Sequence, residues 1–113
     1  MARLKNPSHE DIFYARTEAP KAAAAVGRAA ADAAAALRQI AAQDYATPAE
    51  VVAAVGKFRA GQVAIDAAMF ELLGLAVLGG APITTTARDL GMRPGTLGQR
   101  LTSTSAAKRG ERR

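Results

Sequence analysis

The chain contains no cysteine and no tryptophan, a single histidine, and aromatic residues at only 4% of its 113 positions. Without cysteine there is neither a disulfide framework nor a thiolate metal site, and His9 alone builds no histidine-based zinc centre. His9 also has no thiol to activate, so a surface or capping role suits it better than that of a general base. The carboxylates are dispersed, and no HExxH, P-loop, dinucleotide fingerprint or EF-hand spacing occurs. Gly79, Gly80, Gly91, Gly95 and Gly98 form no phosphate loop, because no strand signal precedes them and no Gly-Lys-Ser/Thr comes after them. The expectation is therefore a protein that is not an enzyme and has no cofactor, no metal and no evident small-molecule ligand. Alternating apolar and polar runs and Asn-Gly or Asp-Gly hairpin turns are missing as well, which leaves an all-α fold. No stretch approaches ~18 uninterrupted apolar residues, and Met1 to Glu10 lacks the apolar core of a secretion signal. A soluble cytoplasmic chain with no membrane partner is expected.

Alanine is abundant, and half of the residues are apolar. With so few large side chains, one domain of this size buries a modest core and gains from a partner chain. Residues 1–17 read as an N-terminal arm with a short helix, because Ser8 followed by Asp11 resembles a capping box. Pro20 suits the first turn of a second helix running to about Asp44. On that helix Val26, Ala30, Ala33, Leu37 and Ile40 form a narrow seam. Thr47, Pro48, Ala49 and Glu50 combine an N-cap, proline at the first helical position and a returning glutamate, so a third helix starts there. Val51, Val55, Phe58, Ile65, Met69, Leu72 and Ala76 hold one heptad phase across Gly61, with Gln62 the polar member. This phase gives one long helix from Pro48 to about Leu78, stopped by Gly79, Gly80 and Pro82, with a bend possible in principle at Gly61. Residues 18–80 then form an antiparallel helical hairpin that serves as the dimerisation platform, with Val26, Leu37, Ile40, Val55, Phe58, Ile65 and Met69 at the homodimer interface. Val63, Phe70, Leu73 and Val77 make a second stripe, open to the segment after Pro82 or to a second protomer.

Charge is unevenly placed. Residues 1–80 carry eight basic and eight acidic side chains, whereas residues 81–113 carry seven basic against Asp89 and Glu111, so the whole +5 sits in the last third. A polyanion is the natural partner. In the same segment, residues 81–104, the run ITTTARDLGMRPGTLGQRLT resembles the helix-turn-helix unit of phage Cro-type and other bacterial repressors. Ala87 stands where the first helix passes the second, Gly91 sits in the turn where positive φ is needed, and Leu90, Met92, Leu97 and Leu101 occupy inward positions. The resemblance implies that the second helix, opened by Pro94, enters the major groove of double-stranded DNA.

Carried over by motif position, the residues facing DNA are Arg93, Gly95, Thr96, Gly98, Gln99 and Thr102, with Arg100 a further base or phosphate contact. Thr84 and Thr85, with Thr86, lie at the start of the preceding helix, which they cap, and join Arg88 in phosphate contact. Residues 105–113 read as a flexible basic tail whose Lys108, Arg109, Arg112 and Arg113 add salt-dependent attraction. Gly95 and Gly98 depart from the pattern, costing the helix about 2 kcal/mol relative to alanine and removing two side chains from reading positions. The implied function is a sequence-specific, repressor-like transcriptional regulator of a bacterium or phage, acting as a homodimer on the nucleoid. Two alternatives use the same residues: an assembly protein such as a small terminase subunit or plasmid-partition adaptor in a higher oligomer, or an interaction hairpin with a basic tail.

Overall fold

A computed structural model describes residues 5–110, so Arg112 and Arg113 lie outside the described residues. The described chain is all-helical, with two long helices, α1 (His9–Ala41) and α2 (Pro48–Leu78), packed against each other, and then two short ones, α3 (Ile83–Asp89) and α4 (Pro94–Arg100). Two 3-10 segments, η1 (Leu101–Ser103) and η2 (Ser105–Lys108), complete it.

Both long helices open with a capping box. Ser8 Oγ accepts from Asp11 N–H while Asp11 Oδ2 accepts from Ser8 N–H, each at 3.0 Å. Thr47 and Glu50 repeat the arrangement at the start of α2, with Pro48 at the first helical position. The Thr47 N–H bond holds the Glu50 carboxyl below its ordinary range, helped by the Thr47 and Gln43 side chains. At its other end α2 closes with a Schellman pattern: Gly80 N–H donates to Val77 O and Ala81 N–H to Ala76 O, with Gly80 at φ +118.

The break expected between residues 17 and 18 is absent, because α1 runs through Pro20. Pro20 removes one hydrogen bond to the carbonyl of Arg16, but both residues are solvent-exposed, so water can satisfy that oxygen. The helix also ends at Ala41, three residues before the expected Asp44.

Two close approaches fix the register of the hairpin. A Cβ built on Gly61 would lie 2.6 Å from Ala33 Cβ, and one built on Gly79 would lie 3.0 Å from Ala15 Cβ. Both pairs have residue numbers that total 94, so position i of α1 stands opposite 94 − i of α2. Eight shielded positions of α1, namely 15, 19, 22, 26, 29, 33, 36 and 40, then stand opposite 79, 75, 72, 68, 65, 61, 58 and 54, which are shielded too. Steps of four and three alternate on both helices, the spacing of a knobs-into-holes seam. On this register size is complementary away from the close Gly61–Ala33 and Gly79–Ala15 approaches: Ala19 falls opposite Leu75, Ala22 opposite Leu72, Ala29 opposite Ile65 and Ala36 opposite Phe58, while Val26 falls opposite Ala68 and Ile40 opposite Ala54. The alanines are thus the holes for large side chains on the opposite helix.

The residues expected at a dimer interface divide in this register. Val26, Ile40, Phe58 and Ile65 lie half-buried on the hairpin seam, and Leu37 is half-buried beside it. Val55 and Met69 lie one position off the α2 seam and stay exposed. Gly61 does not interrupt α2, because its missing side chain makes room for α1. By length and composition α2 is also apolar enough to cross a membrane, with 22% of its most apolar stretch buried. Counting uninterrupted apolar residues overlooks this, since Asp66 and Glu71 break the run.

Two glycines of α2 should therefore respond oppositely to alanine. Gly56→Ala, where nothing lies within 4 Å of the new methyl group, should stabilise by up to about 1 kcal/mol through helix propensity. Gly61→Ala should destabilise by about 1 kcal/mol net despite the same gain, because the two helices must separate. Adding Ala33→Gly to Gly61→Ala should restore part of the loss in thermal melts.

Candidate functional site

The C-terminal unit forms around a small core. Val77 of α2, Ala87 of α3, Leu97 of α4, Leu101 of η1 and Ala106 of η2 are buried together, with Phe70, Leu73, Ile83 and Met92 packed against them. Ala87 has no exposed surface, so a larger side chain at this position would displace its neighbours. Between α3 and α4 the chain turns through Gly91 at φ +68, the left-handed region that glycine enters without strain. Met92 N–H donates to Ala87 O at 2.8 Å across the turn. Leu90 departs from the expected inward position. It is 46% exposed, because it is the C-cap of α3 and its side chain leaves the core before the turn closes.

Helix α4 buries Leu97 and Gly98 and leaves Arg93, Thr96, Gln99 and Arg100 exposed. Steps of three and four place Thr96, Gln99 and Arg100 on one face, with Arg93 as the extended N-cap residue ahead of them. Gly98 therefore cannot face a ligand as expected from the motif; it lies on the packed side. Two candidate reading residues are engaged elsewhere. The Arg100 guanidinium sits 5.5 Å from the centroid of the Phe70 ring, a cation–π distance that turns it toward α2. Thr102 Oγ1 donates to Gln99 O at 2.7 Å. Arg93, Thr96 and Gln99 are left as outward side chains with room to contact a ligand.

Thr84, Thr85 and Arg88 are exposed on α3, whereas Thr86 is half-buried. The threonines do not cap the helix: Pro82 is the N-cap, and no side chain bonds to the first turn.

Residues 105–110, expected as part of a flexible tail, include η2 and fold back onto α2 and the start of α1. Ser105 donates from its N–H to Glu71 Oε1 at 2.9 Å and from Oγ to Glu71 Oε2 at 3.2 Å. Thr104 lies directly over Gly74, whose bare backbone admits it. Arg109 Nη1 donates to Val77 O at 3.1 Å and to Ala81 O at 3.3 Å, satisfying carbonyls at the end of α2. Gly110 N–H donates to Asp11 Oδ2 at 2.6 Å, and Asp11 is fully buried. Arg109 is thus an internal strap, whereas Lys108 is exposed. What the sequence pattern missed is this fastening set of Asp11, Glu71 and Arg109. The Ser8–Asp11 spacing signals only a cap, and Glu71 looks like an ordinary charge on a helix.

Arg109→Ala should therefore lower stability by about 1–2 kcal/mol, because Ala81 O loses its donor while Val77 O keeps the Gly80 N–H, and should speed amide exchange in η2. Lys108→Ala should change stability by no more than about 0.5 kcal/mol. No protein-family model, curated protein or solved structure matches this chain.

Proposed function

We propose that residues 83–102 act as a helix-turn-helix and that the protein is a sequence-specific DNA-binding regulator of repressor type, acting as a homodimer in the cytoplasm on nucleoid DNA. The observation that carries this reading is the exposed pair Thr96 and Gln99 on a short helix, with exposed Arg93 at its N-cap, while Leu97 on the other side and Leu101 just beyond its end enter the core. Polar side chains held on a rigid helix face are what major-groove reading requires, since backbone contacts position a protein and base contacts specify it. Gly91 in the turn and Ala87 at the helix crossing support the same reading.

Roles divide among the side chains by what each is free to do. Gln99 offers a donor and an acceptor to an adenine edge, and Arg93 offers a fork to guanine N7 and O6. Thr96, one turn from both, suits a short contact with a base edge or phosphate. Arg88, Thr84, Thr85 and Lys108 are exposed and supply phosphate contacts around this helix. Arg100 and Thr102 contribute less than the motif implies, and Arg109 supports the unit from within. Gly95 is exposed and bare, so the backbone can approach DNA closely at the start of the helix.

The direct test is selection from a random duplex pool, with gel shifts of the selected sequences at several salt concentrations. Binding should weaken with salt. Arg93→Ala and Gln99→Ala should each cost about 1–3 kcal/mol and relax specificity at one position, while Lys108→Ala should weaken all sequences alike and reduce the salt slope by about one. Absence of salt-sensitive binding at low ionic strength would refute the proposal.

A further inference from the structure

The flank of α2 that turns away from α1 carries apolar side chains toward both ends, with Arg59, Gln62 and Asp66 around Val63 in its middle, and is covered only near its C-terminal end. Phe70, Leu73 and Val77 lie under the C-terminal unit. Ahead of them Val51, Val52, Val55 and Val63 remain exposed, Val52 at 71% and Val63 at 76%. At about 100° per residue, these four together with Arg59, Gln62 and Asp66 fall within an arc of about 120°. Four exposed valines on one flank are apolar surface that a further neighbour would cover.

We propose that a second copy of this chain covers the flank, packed antiparallel about a two-fold axis that passes between Gln62 and Val63. The charges select this occupant and this register. Arg59 and Asp66 are the ionic residues within the arc, and among the described residues neither forms an ion pair. They stand at equal distances on either side of the point between Gln62 and Val63. An antiparallel mate therefore sets each Arg59 beside the partner's Asp66, twice over, as a self-complementary two-fold interface requires. The same register brings Val55 against the partner's exposed Met69, beside the recess between α2 and α4 that Val63, Asp66, Phe70 and Arg100 help to line. A lipid surface would instead meet both ionic side chains in the middle of its contact stripe, where charge is costly. This interface keeps Val55 and Met69 from the expected set and leaves the seam residues Val26, Ile40, Phe58 and Ile65 to the hairpin.

One consequence rests on the DNA-binding reading. The C-terminal unit is seated on α2 around Gly74, between eleven and twelve residues from the axis, or about 17 Å at the helical rise of 1.5 Å per residue. Two units related by the axis then stand about 34 Å apart, the separation of successive major grooves on one face of DNA.

The absence of cysteine makes the test clean. Under mild oxidation, Gln62→Cys should cross-link to its own copy at least about tenfold faster than Ala35→Cys on the exposed outer side of α1, and the unmodified chain should sediment at twice the chain mass. Asp66→Arg should raise the dimer Kd about tenfold or more through like-charge apposition, and Arg59→Asp/Asp66→Arg should return it toward the original value. Circular dichroism should show both variants still helical. A monomeric or ring-sized mass at micromolar concentration, equal cross-linking at both positions, or partition into neutral phosphatidylcholine vesicles in place of pairing would overturn the proposal. A cross-linking dimer that ignores DNA would support the pairing and refute only the DNA reading; a DNA-binding monomer would do the reverse.

Discussion

Helix α2 has more apolar surface than one neighbouring helix can cover, and the rest of the fold is arranged around that excess. One side takes α1 along a seam of alternating large and small residues. The C-terminal end takes α3, α4 and the two 3-10 segments over Phe70, Leu73 and Val77. Along the remainder, the valines of the outer flank face solvent within a single chain. Burial of apolar surface is the main favourable term in folding and association. The distribution of α2's side chains therefore organises both the internal packing and the proposed pairing.

Glycine and alanine have specific tasks in this arrangement. Gly61 and Gly79 let α1 approach, and Gly74 gives Thr104 a place to lie. Because the two long helices sit so close, even a methyl group at Gly61 meets Ala33. The low aromatic content is then compatible with a well-defined hairpin, since small residues on one helix are matched by large ones on the other. A second layer of order comes from polar groups at the far end of the molecule. Glu71, Arg109 and Asp11 hold the C-terminal segment to α2 and to the start of α1, so that residues about a hundred positions apart in sequence meet through Gly110 and Asp11. Arg109 uses its charge to satisfy helix-end carbonyls, which makes this basic residue a structural one.

Much of this was legible in order of locality. The capping boxes at Ser8 and Thr47, the start and stop of α2, and the left-handed turn at Gly91 depend on a few adjacent residues, and each can be read from its own stretch of chain. Seam phase was harder to read. Val55 and Met69 lie one position from Ala54 and Ala68, and apolarity alone favours the valine and methionine; only the contact with α1 selects the alanines. Leu90 misled for a related reason, because a large apolar residue beside a turn can be exposed when the core closes without it. Pro20 reads locally as a helix start, yet α1 runs straight through it.

By itself the sequence determined the all-helical class, the extent of α2, the turn at Gly91 and the concentration of positive charge in the last third, all properties of short segments or of composition. Tertiary structure decided which apolar stripe is spent inside the hairpin and which stays open. It also separated Arg93 and Gln99, which face outward, from Arg100 on Phe70 and Arg109 on the end of α2. The physical reason is that an arginine's role depends on the carbonyls, rings and carboxylates within its reach. Those neighbours come together only when α2, α4 and the C-terminal segment have packed.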